Sequence, residues 1–341
     1  MDAEEPSPKP RLFLTRRIPD SGLALIRKVF AVVGGEEDRP LERASLRRGV
    51  VGADAVLCLL TETIDGPIMD AAGAQLRVIS NMAVGVDNVD LAAATERGIL
   101  VTNTPGVLTG ATADLTWALI LSTVRRVTEG DRAVREGRFH RWSPFMLLGR
   151  DLTGLTLGIV GMGRIGQAVA TRALGWDLNV IYTRPSGPLS ADQMPPGARW
   201  EFRAQLEELL RDADIVSLHV PLLPETRHLI GARELALMRP GSYLINAARG
   251  PVVDEAALVQ ALERGPLAGA GLDVYEREPD LARGLVDLPN VTLLPHLGSA
   301  TIETRGRMAE LAALNAIAAV RGEAVPHLVN PEARRAHQFA S

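Results

Sequence analysis

Short apolar runs rich in β-branched residues alternate with helical patterns along nearly the whole chain, and no other feature constrains the fold as tightly. Strands separated by helices pair in parallel, so the rhythm predicts an α/β protein with doubly wound parallel sheets. Strands are predicted at Arg11–Thr15, Ala55–Leu59, Val78–Ser80 and Leu100–Thr102. A second set is predicted at Leu157–Val160, Asn179–Thr183, Ile215–Leu218, Tyr243–Asn246, Gly269–Val274 and Thr292–Leu294. Several are continuously apolar, as strands are when helices cover both faces of a sheet. Two long helices divide the series. One is predicted over Ala111–Val127, with Asp114 in its opening turn and Arg125–Arg126 near its end; the other over Ile302–Arg321, ending at Gly322. Six strands fall between them, which predicts an inner domain over 108–301 inserted into an outer one made of 11–107 plus 302–335. A length of 341 residues suits two domains. The stretch 184–198, with four prolines and two glycines, is the least regular interior segment.

Composition narrows the function. Hydrophobic residues make up 46% and charged residues 23%, and the net charge is −4, so no basic stripe exists to track a nucleic acid. The single cysteine, Cys58, leaves no disulfide framework, argues against a cysteine-built metal site and suits a reducing compartment. Residues 1–10 are acidic and proline-rich and read as a disordered leader rather than an export signal. No uncharged apolar run reaches the ~18 residues that a membrane helix needs. The expectation is a cytoplasmic protein that binds neither membrane, nucleic acid nor metal.

The run Gly161-Met162-Gly163-Arg164-Ile165-Gly166 lies between an apolar strand and a helix of small residues. G-x-G-x-x-G alone is weak in a chain with 32 glycines, but in this setting each glycine has a purpose. Gly161 allows a tight turn, Gly163 lets a pyrophosphate approach the backbone, and Gly166 lets helix and strand pack closely. The helix N-terminus adds N–H donors and partial positive charge. At the end of the next strand, about 20 residues on, an NAD enzyme of this plan carries an acidic residue for the ribose 2′-hydroxyl. Here the position holds Thr183, followed by Arg184 and Pro185. A hydroxyl and a guanidinium accommodate a 2′-phosphate that a carboxylate would repel, so NADP(H) is expected over NAD(H).

Three chemically capable residues fall just past predicted strands, where open α/β sheets bind ligands: Arg249, Glu278 and His296. A guanidinium can grip a carboxylate through two parallel bonds. An imidazole can deliver a proton near neutrality, and a carboxylate on its second nitrogen fixes its tautomer. Taken alone, a residue of this kind is usually a solvated surface charge, and the prolines beside Glu278 and His296 mark them as loop residues. Of the other five histidines, His219 is the serious rival, because it too ends a strand. His140 and His228 sit among charges, and His327 and His337 are expected to be solvated in the tail.

Taken together, these residues resemble the D-isomer-specific 2-hydroxyacid dehydrogenases, and within them the glyoxylate/hydroxypyruvate reductase branch. The likeness spans about Leu12 to Pro331. It rests on ordered signatures at Asn81–Asp90, Thr102–Leu108, Ala111–Leu115, Gly161–Gly166, Asn246–Gly250, Gly271–Pro279 and Pro295–Thr301. It also rests on spacings of 29 residues from Arg249 to Glu278 and 47 from Arg249 to His296.

The resemblance implies two Rossmann-like doubly wound domains, a nucleotide-binding domain inserted in a discontinuous substrate-binding one, closing on each other to exclude water. It implies that Arg249 binds the carboxylate of a 2-oxo acid and polarises its ketone, that His296 gives a proton to the carbonyl oxygen, and that Glu278 holds His296 protonated for that step. Backbone at Val84 and Gly85 would hold the substrate carboxylate, and Leu60 would form an apolar wall. Asp273 would meet the nicotinamide carboxamide, with Thr112, Pro221, Ala247, Ala248 and Gly298 along the cofactor. Trp142 would reach a neighbouring subunit's site in a homodimer.

The expected reaction is reduction of glyoxylate to glycolate and of hydroxypyruvate to D-glycerate. Other D-2-hydroxyacid dehydrogenases remain alternatives. A phosphite dehydrogenase is another, although those carry a lysine where this chain has Ala83-Val84-Gly85. A dinucleotide-sensing corepressor is a third; such proteins usually have a long tail, and only ten residues follow Pro331 here.

Overall fold

The computed structural model describes residues 8–333; most of the predicted leader, the end of the predicted outer domain and His337 lie outside them. The chain divides after Leu108 and after Ala300 into two compact units.

In the unit formed by residues up to Leu108 and from Thr301, five strands make one wholly parallel sheet: β1 (Arg11–Leu14), β2 (Ala31–Gly34), β3 (Ala55–Cys58), β4 (Val78–Asn81) and β5 (Leu100–Thr102). Their order is β2-β1-β3-β4-β5. Every residue of β3 and β4 is buried, which explains their unbroken apolar or small composition. The helix Ile302–Arg321 packs on this sheet and has the ends its sequence promises. Thr301 caps it by accepting from Thr304 N–H at 3.1 Å, and Gly322 ends it at φ 71°.

The unit Thr109–Ala300 holds seven parallel strands: β6 (Thr156–Val160), β7 (Asn179–Thr183), β8 (Trp200–Phe202), β9 (Ile215–Leu218), β10 (Ser242–Asn246), β11 (Leu267–Leu272) and β12 (Val291–Leu293). The order is β12-β11-β10-β9-β6-β7-β8. Chain direction across the sheet reverses between β9 and β6, the crevice where such sheets bind ligands. Successive residues enter cores on opposite faces. Ile215, Tyr243 and Ile245 join one cluster, while Val216, Leu244 and Leu218 join the other. Burying each of the aliphatic side chains among them stabilises the sheet by about 1.5–3 kcal/mol.

The structure corrects several boundaries. β2 and β8 were not predicted, so the inner unit has seven strands rather than six. Both are sheet edges and so lack the burial signature: β2 is mostly exposed, and β8 is three residues long with an exposed glutamate. β11 stops at Leu272 instead of Val274: Asp273 still donates its N–H to the Asn246 carbonyl at 2.9 Å, but on its other side it meets the loop after β12, through its carbonyl and its carboxylate, rather than a strand. The first long helix runs Thr109–Val124, so Asp114 lies past its opening turn and Arg125–Arg126 lie beyond its end. The chain breaks there because Arg126 turns left-handed at φ 56° and Arg150 N–H takes the Val124 carbonyl. A second helix, Val127–Arg135, follows. The irregular stretch 184–198 is pinned by Leu189, which is buried and donates its N–H to the Tyr182 hydroxyl at 2.7 Å. His327 is partly buried rather than solvated, and its carbonyl accepts from Asn103 N–H at 3.2 Å.

Candidate active site

The phosphate-type turn follows β6. Gly161 sits at φ 97°, where a side chain's first carbon would meet the His219 carbonyl oxygen at 2.6 Å. A carbon on Gly166 would lie 2.3 Å from the Gly161 carbonyl oxygen. Gly163 caps the helix Arg164–Ala173, has no side-chain partner there, and faces open space within 4 Å. Met162 is buried beneath the turn, and Arg164 stands exposed in the helix's first turn. Two glycines are therefore demanded by close packing, and the third leaves room above the helix N-terminus. This geometry fits a dinucleotide pyrophosphate.

At the end of β7, the Thr183 carbonyl accepts from Gly161 N–H at 3.0 Å. Arg184 donates Nε–H to the Gly187 carbonyl at 2.6 Å and Nη2–H to the Pro188 carbonyl at 3.3 Å, so it folds its own loop. A guanidinium has five N–H donors, and these two bonds leave it others. Pro185 is exposed beside it, and no carboxylate stands at this strand end.

Arg249, Glu278 and His296 follow β10, β11 and β12, three neighbouring strands of one sheet. Asn246 closes the turn that carries Arg249. Its amide donates to the Arg249 carbonyl at 3.0 Å and accepts from Ala248 N–H at 3.0 Å. Arg249 Nη1 donates to the Ala248 carbonyl at 2.8 Å. Behind it, Gly250 is so close to Tyr275 that an added carbon would sit 1.8 Å from the Tyr275 carbonyl oxygen. The loop bearing Arg249 is thus stacked on the loop bearing Glu278.

Glu278 Oε1 accepts from Tyr275 N–H at 3.1 Å, and Oε2 lies 2.9 Å from His296 Nδ1. Burial alone would raise the Glu278 pKa. The hydrogen bond and charge of His296, the Tyr275 N–H and the nearby Arg249 charge outweigh it and hold the carboxyl below its usual range. An ionised carboxylate only accepts, so Nδ1 carries the proton in this pair and Nε2 is left for a ligand. His296 itself sits at φ 55°, a region uncommon for residues other than glycine, at a cost of about 1–3 kcal/mol. Its N–H donates to the Asp273 carbonyl at 2.9 Å, while the buried Asp273 carboxylate accepts from Leu297 N–H at 2.6 Å and Gly298 N–H at 2.8 Å. Thr112 Oγ1 donates to the Gly298 carbonyl at 3.1 Å.

His219 is a different kind of histidine. Its Nε2 lies 2.9 Å from Ser217 Oγ, and burial pushes its pKa down to about 4. A ring neutral across the neutral range is a poor proton donor there. Pro221, two residues further on in the loop after β9, is exposed. Ala247 and Ala248 are partly buried next to Arg249.

In the other unit, Leu60 follows β3 and is 39% exposed. Val84 and Gly85 follow β4 and are partly buried. Trp142 is 75% exposed, in an apolar stretch that also exposes Phe139, Phe145 and Leu148. Among the described residues no helix is long and apolar enough to cross a membrane, and no group of three or more His, Cys, Asp or Glu could hold a metal ion.

Glu255 is a further residue of this site that the sequence does not single out. Buried at the start of the helix Glu255–Arg264, it accepts from Glu276 N–H at 2.5 Å and Ala282 N–H at 3.0 Å, clamping both ends of the loop that contains Glu278. An acidic residue in a first helical turn already has an explanation in the helix dipole, so nothing in the sequence marks this second task.

Residues 117–298 match the family model for the NAD binding domain of the D-isomer specific 2-hydroxyacid dehydrogenases. The chain is 49% identical over 329 residues to a glyoxylate reductase of Thermococcus gammatolerans, covering 95% of this chain and 97% of that protein. It is 48% identical to the glyoxylate reductase of Pyrococcus furiosus, covering 95% and 96%. Among solved structures it resembles an NADPH-dependent glyoxylate/hydroxypyruvate reductase from Sinorhizobium meliloti in complex with NADP and malonate. That likeness has a TM-score of 0.83 at 34% identity and covers 96% of this chain and 98% of that one.

Proposed function

The chain belongs to the D-isomer specific 2-hydroxyacid dehydrogenases, and from that premise we propose that it reduces small 2-oxo acids, with glyoxylate and hydroxypyruvate as substrates. The observation that carries the reading is the 2.9 Å contact between Glu278 and His296 on the loops after β11 and β12, beside the Arg249 loop after β10. Arg249 binds the substrate carboxylate and draws electron density from the adjacent ketone. When bound, the reduced nicotinamide supplies hydride to the carbonyl carbon. His296 passes its Nε2 proton to the carbonyl oxygen, and Glu278 stabilises the imidazolium and fixes the ring's tautomer. Val84 and Gly85 hold the substrate carboxylate through backbone N–H groups, and Leu60 lies along the substrate.

NADPH is the preferred reductant in this reading. Its support is the hydroxyl and guanidinium of Thr183 and Arg184 where an NAD enzyme would carry an acid. A homodimer and a cytoplasmic setting complete the proposal, with the exposed apolar stretch around Trp142 as the surface that meets the second copy.

Initial rates with glyoxylate, hydroxypyruvate and pyruvate, each with NADH and NADPH, test the whole. Arg249→Ala should abolish 2-oxo acid use. His296→Ala should lower turnover at least a hundredfold while NADPH still binds. Parental rates from His296→Ala would refute the assignment, and a strong NADH preference would refute the cofactor reading alone.

A further inference from the structure

We propose that Asn103 is a positioning residue for the substrate carboxylate, acting through the backbone it holds. The inference rests on the reductase reading above and deepens it.

Three consecutive carbonyls after β4 are each held by a separate donor. Ala83 O accepts from Thr104 N–H at 2.8 Å, Val84 O from Asn103 Nδ2 at 2.7 Å, and Gly85 O from Asn81 Nδ2 at 2.9 Å. In a planar trans peptide the C=O and the following N–H point in opposite directions. Holding carbonyls 83, 84 and 85 therefore sets the N–H groups of Val84, Gly85 and Val86, each opposite to its own peptide's carbonyl. Among the described residues none of those three N–H groups has a protein acceptor. Backbone N–H groups left without a protein partner in a loop are donors open to an anionic ligand.

Asn103 is the member of this set whose side chain has that single task. It is held in turn, because its N–H donates to the His327 carbonyl at 3.2 Å and its own carbonyl accepts from Asn315 Nδ2 at 3.0 Å. Asn81 also bonds Asn88 at 3.0 Å, and Asn88 donates to the carbonyls of Leu59 and Glu62, which flank Leu60. Asn103 thus orients the Gly85 N–H, while Asn81 and Asn88 tie that loop to the segment carrying the apolar wall.

Asn103→Ala removes the donor, and Asn103→Asp keeps its size while replacing it with an acceptor. In either, KM for glyoxylate should rise about tenfold, the scale of one well-aimed hydrogen bond to a carboxylate. The Ki of oxamate should rise by the same factor, because both ligands present a carboxylate. Turnover at saturation should stay within about threefold and KM for NADPH within about twofold, as expected when uniform binding is lost. Asn103→Ser, with a shorter hydroxyl donor, should fall between the variants and the parent. A glyoxylate KM within twofold of the parent in a cooperatively folding variant overturns the proposal, and so does a loss confined to kcat. If all three variants fail to fold, Asn103 serves stability and the proposal also falls. Absence of glyoxylate turnover in the parent protein would instead refute the reductase reading.

Discussion

His219→Gln separates the two strand-end histidines. His219 is partly buried below the phosphate-type turn, its Nε2 is 2.9 Å from Ser217 Oγ, and burial lowers its pKa to about 4 from the ordinary 6.5. Between those values the unfolded chain binds a proton that the folded chain refuses. Stability is therefore complete above pH 6.5, declines as the pH falls towards 4, and loses no more below that. At about 1.4 kcal/mol per pH unit the gap corresponds to about 3 kcal/mol, and the ring's partial exposure brings the expected loss to about 1–3 kcal/mol. Urea unfolding of parent and variant at half-unit steps from pH 4.5 to 8 measures this directly. The parent should lose that much more stability than His219→Gln across the acid half of the range. Parallel curves would mean that the ring titrates normally in the folded protein, and the burial argument would fail. Glyoxylate turnover by the same variant at pH 7 should stay within about threefold of the parent. A loss of 10²–10⁴, the scale of a missing general acid, would return the proton-donor role to His219.

Two further substitutions probe the scaffold. Gly166→Ala places a carbon 2.3 Å from the Gly161 carbonyl, so it should cost about 1–3 kcal/mol in urea unfolding and raise KM for NADPH more than for glyoxylate; equal effects on both would detach the turn from cofactor binding. Glu255→Gln orphans either Glu276 N–H or Ala282 N–H at a cost of about 1–3 kcal/mol, and by loosening the Glu278 loop it should lower kcat; a stability loss with unchanged kcat would leave the clamp without a catalytic consequence.

What was legible in the sequence follows from how locally each feature is encoded. β3 and β4 are buried on both faces, so their composition announces them. Gly161 and Gly166 are required by contacts at 2.6 and 2.3 Å within one βα unit, and the spacing of the motif records that requirement. Arg249, Glu278 and His296 could be singled out because each is a charged or titratable residue just beyond an apolar strand. β2 and β8 were invisible because an edge strand meets solvent and needs no apolar signature. Glu255, Asn246 and Asn103 were missed for another reason. Each holds backbone groups brought near only by the fold, and side-chain bonds to backbone leave no complementary residue in the sequence to read. The left-handed turn at His296 is equally silent, since Leu-Pro-His reads as an ordinary loop entry.

The sheet order explains why three residues scattered over 48 positions can act together while the glycine turn lies apart from them. Neighbouring strands are about 4.8 Å apart, so loops leaving β10, β11 and β12 emerge side by side, and a 2.9 Å contact between residues 18 apart needs no distortion of the strands. β6 lies two strands from β10, about 10 Å away, across the reversal between β9 and β6. A ligand with a phosphate at one end and a reacting ring at the other must span that interval along the carboxyl edge. The strain at His296 fits the same logic: its positive φ turns the imidazole back towards Glu278 on the adjacent loop, and the Asp273 carbonyl and carboxylate fix the turn from beneath. The cost of that conformation is offset by bonds within the same three-loop group. A change at Asp273 should therefore disturb His296 before it disturbs the sheet.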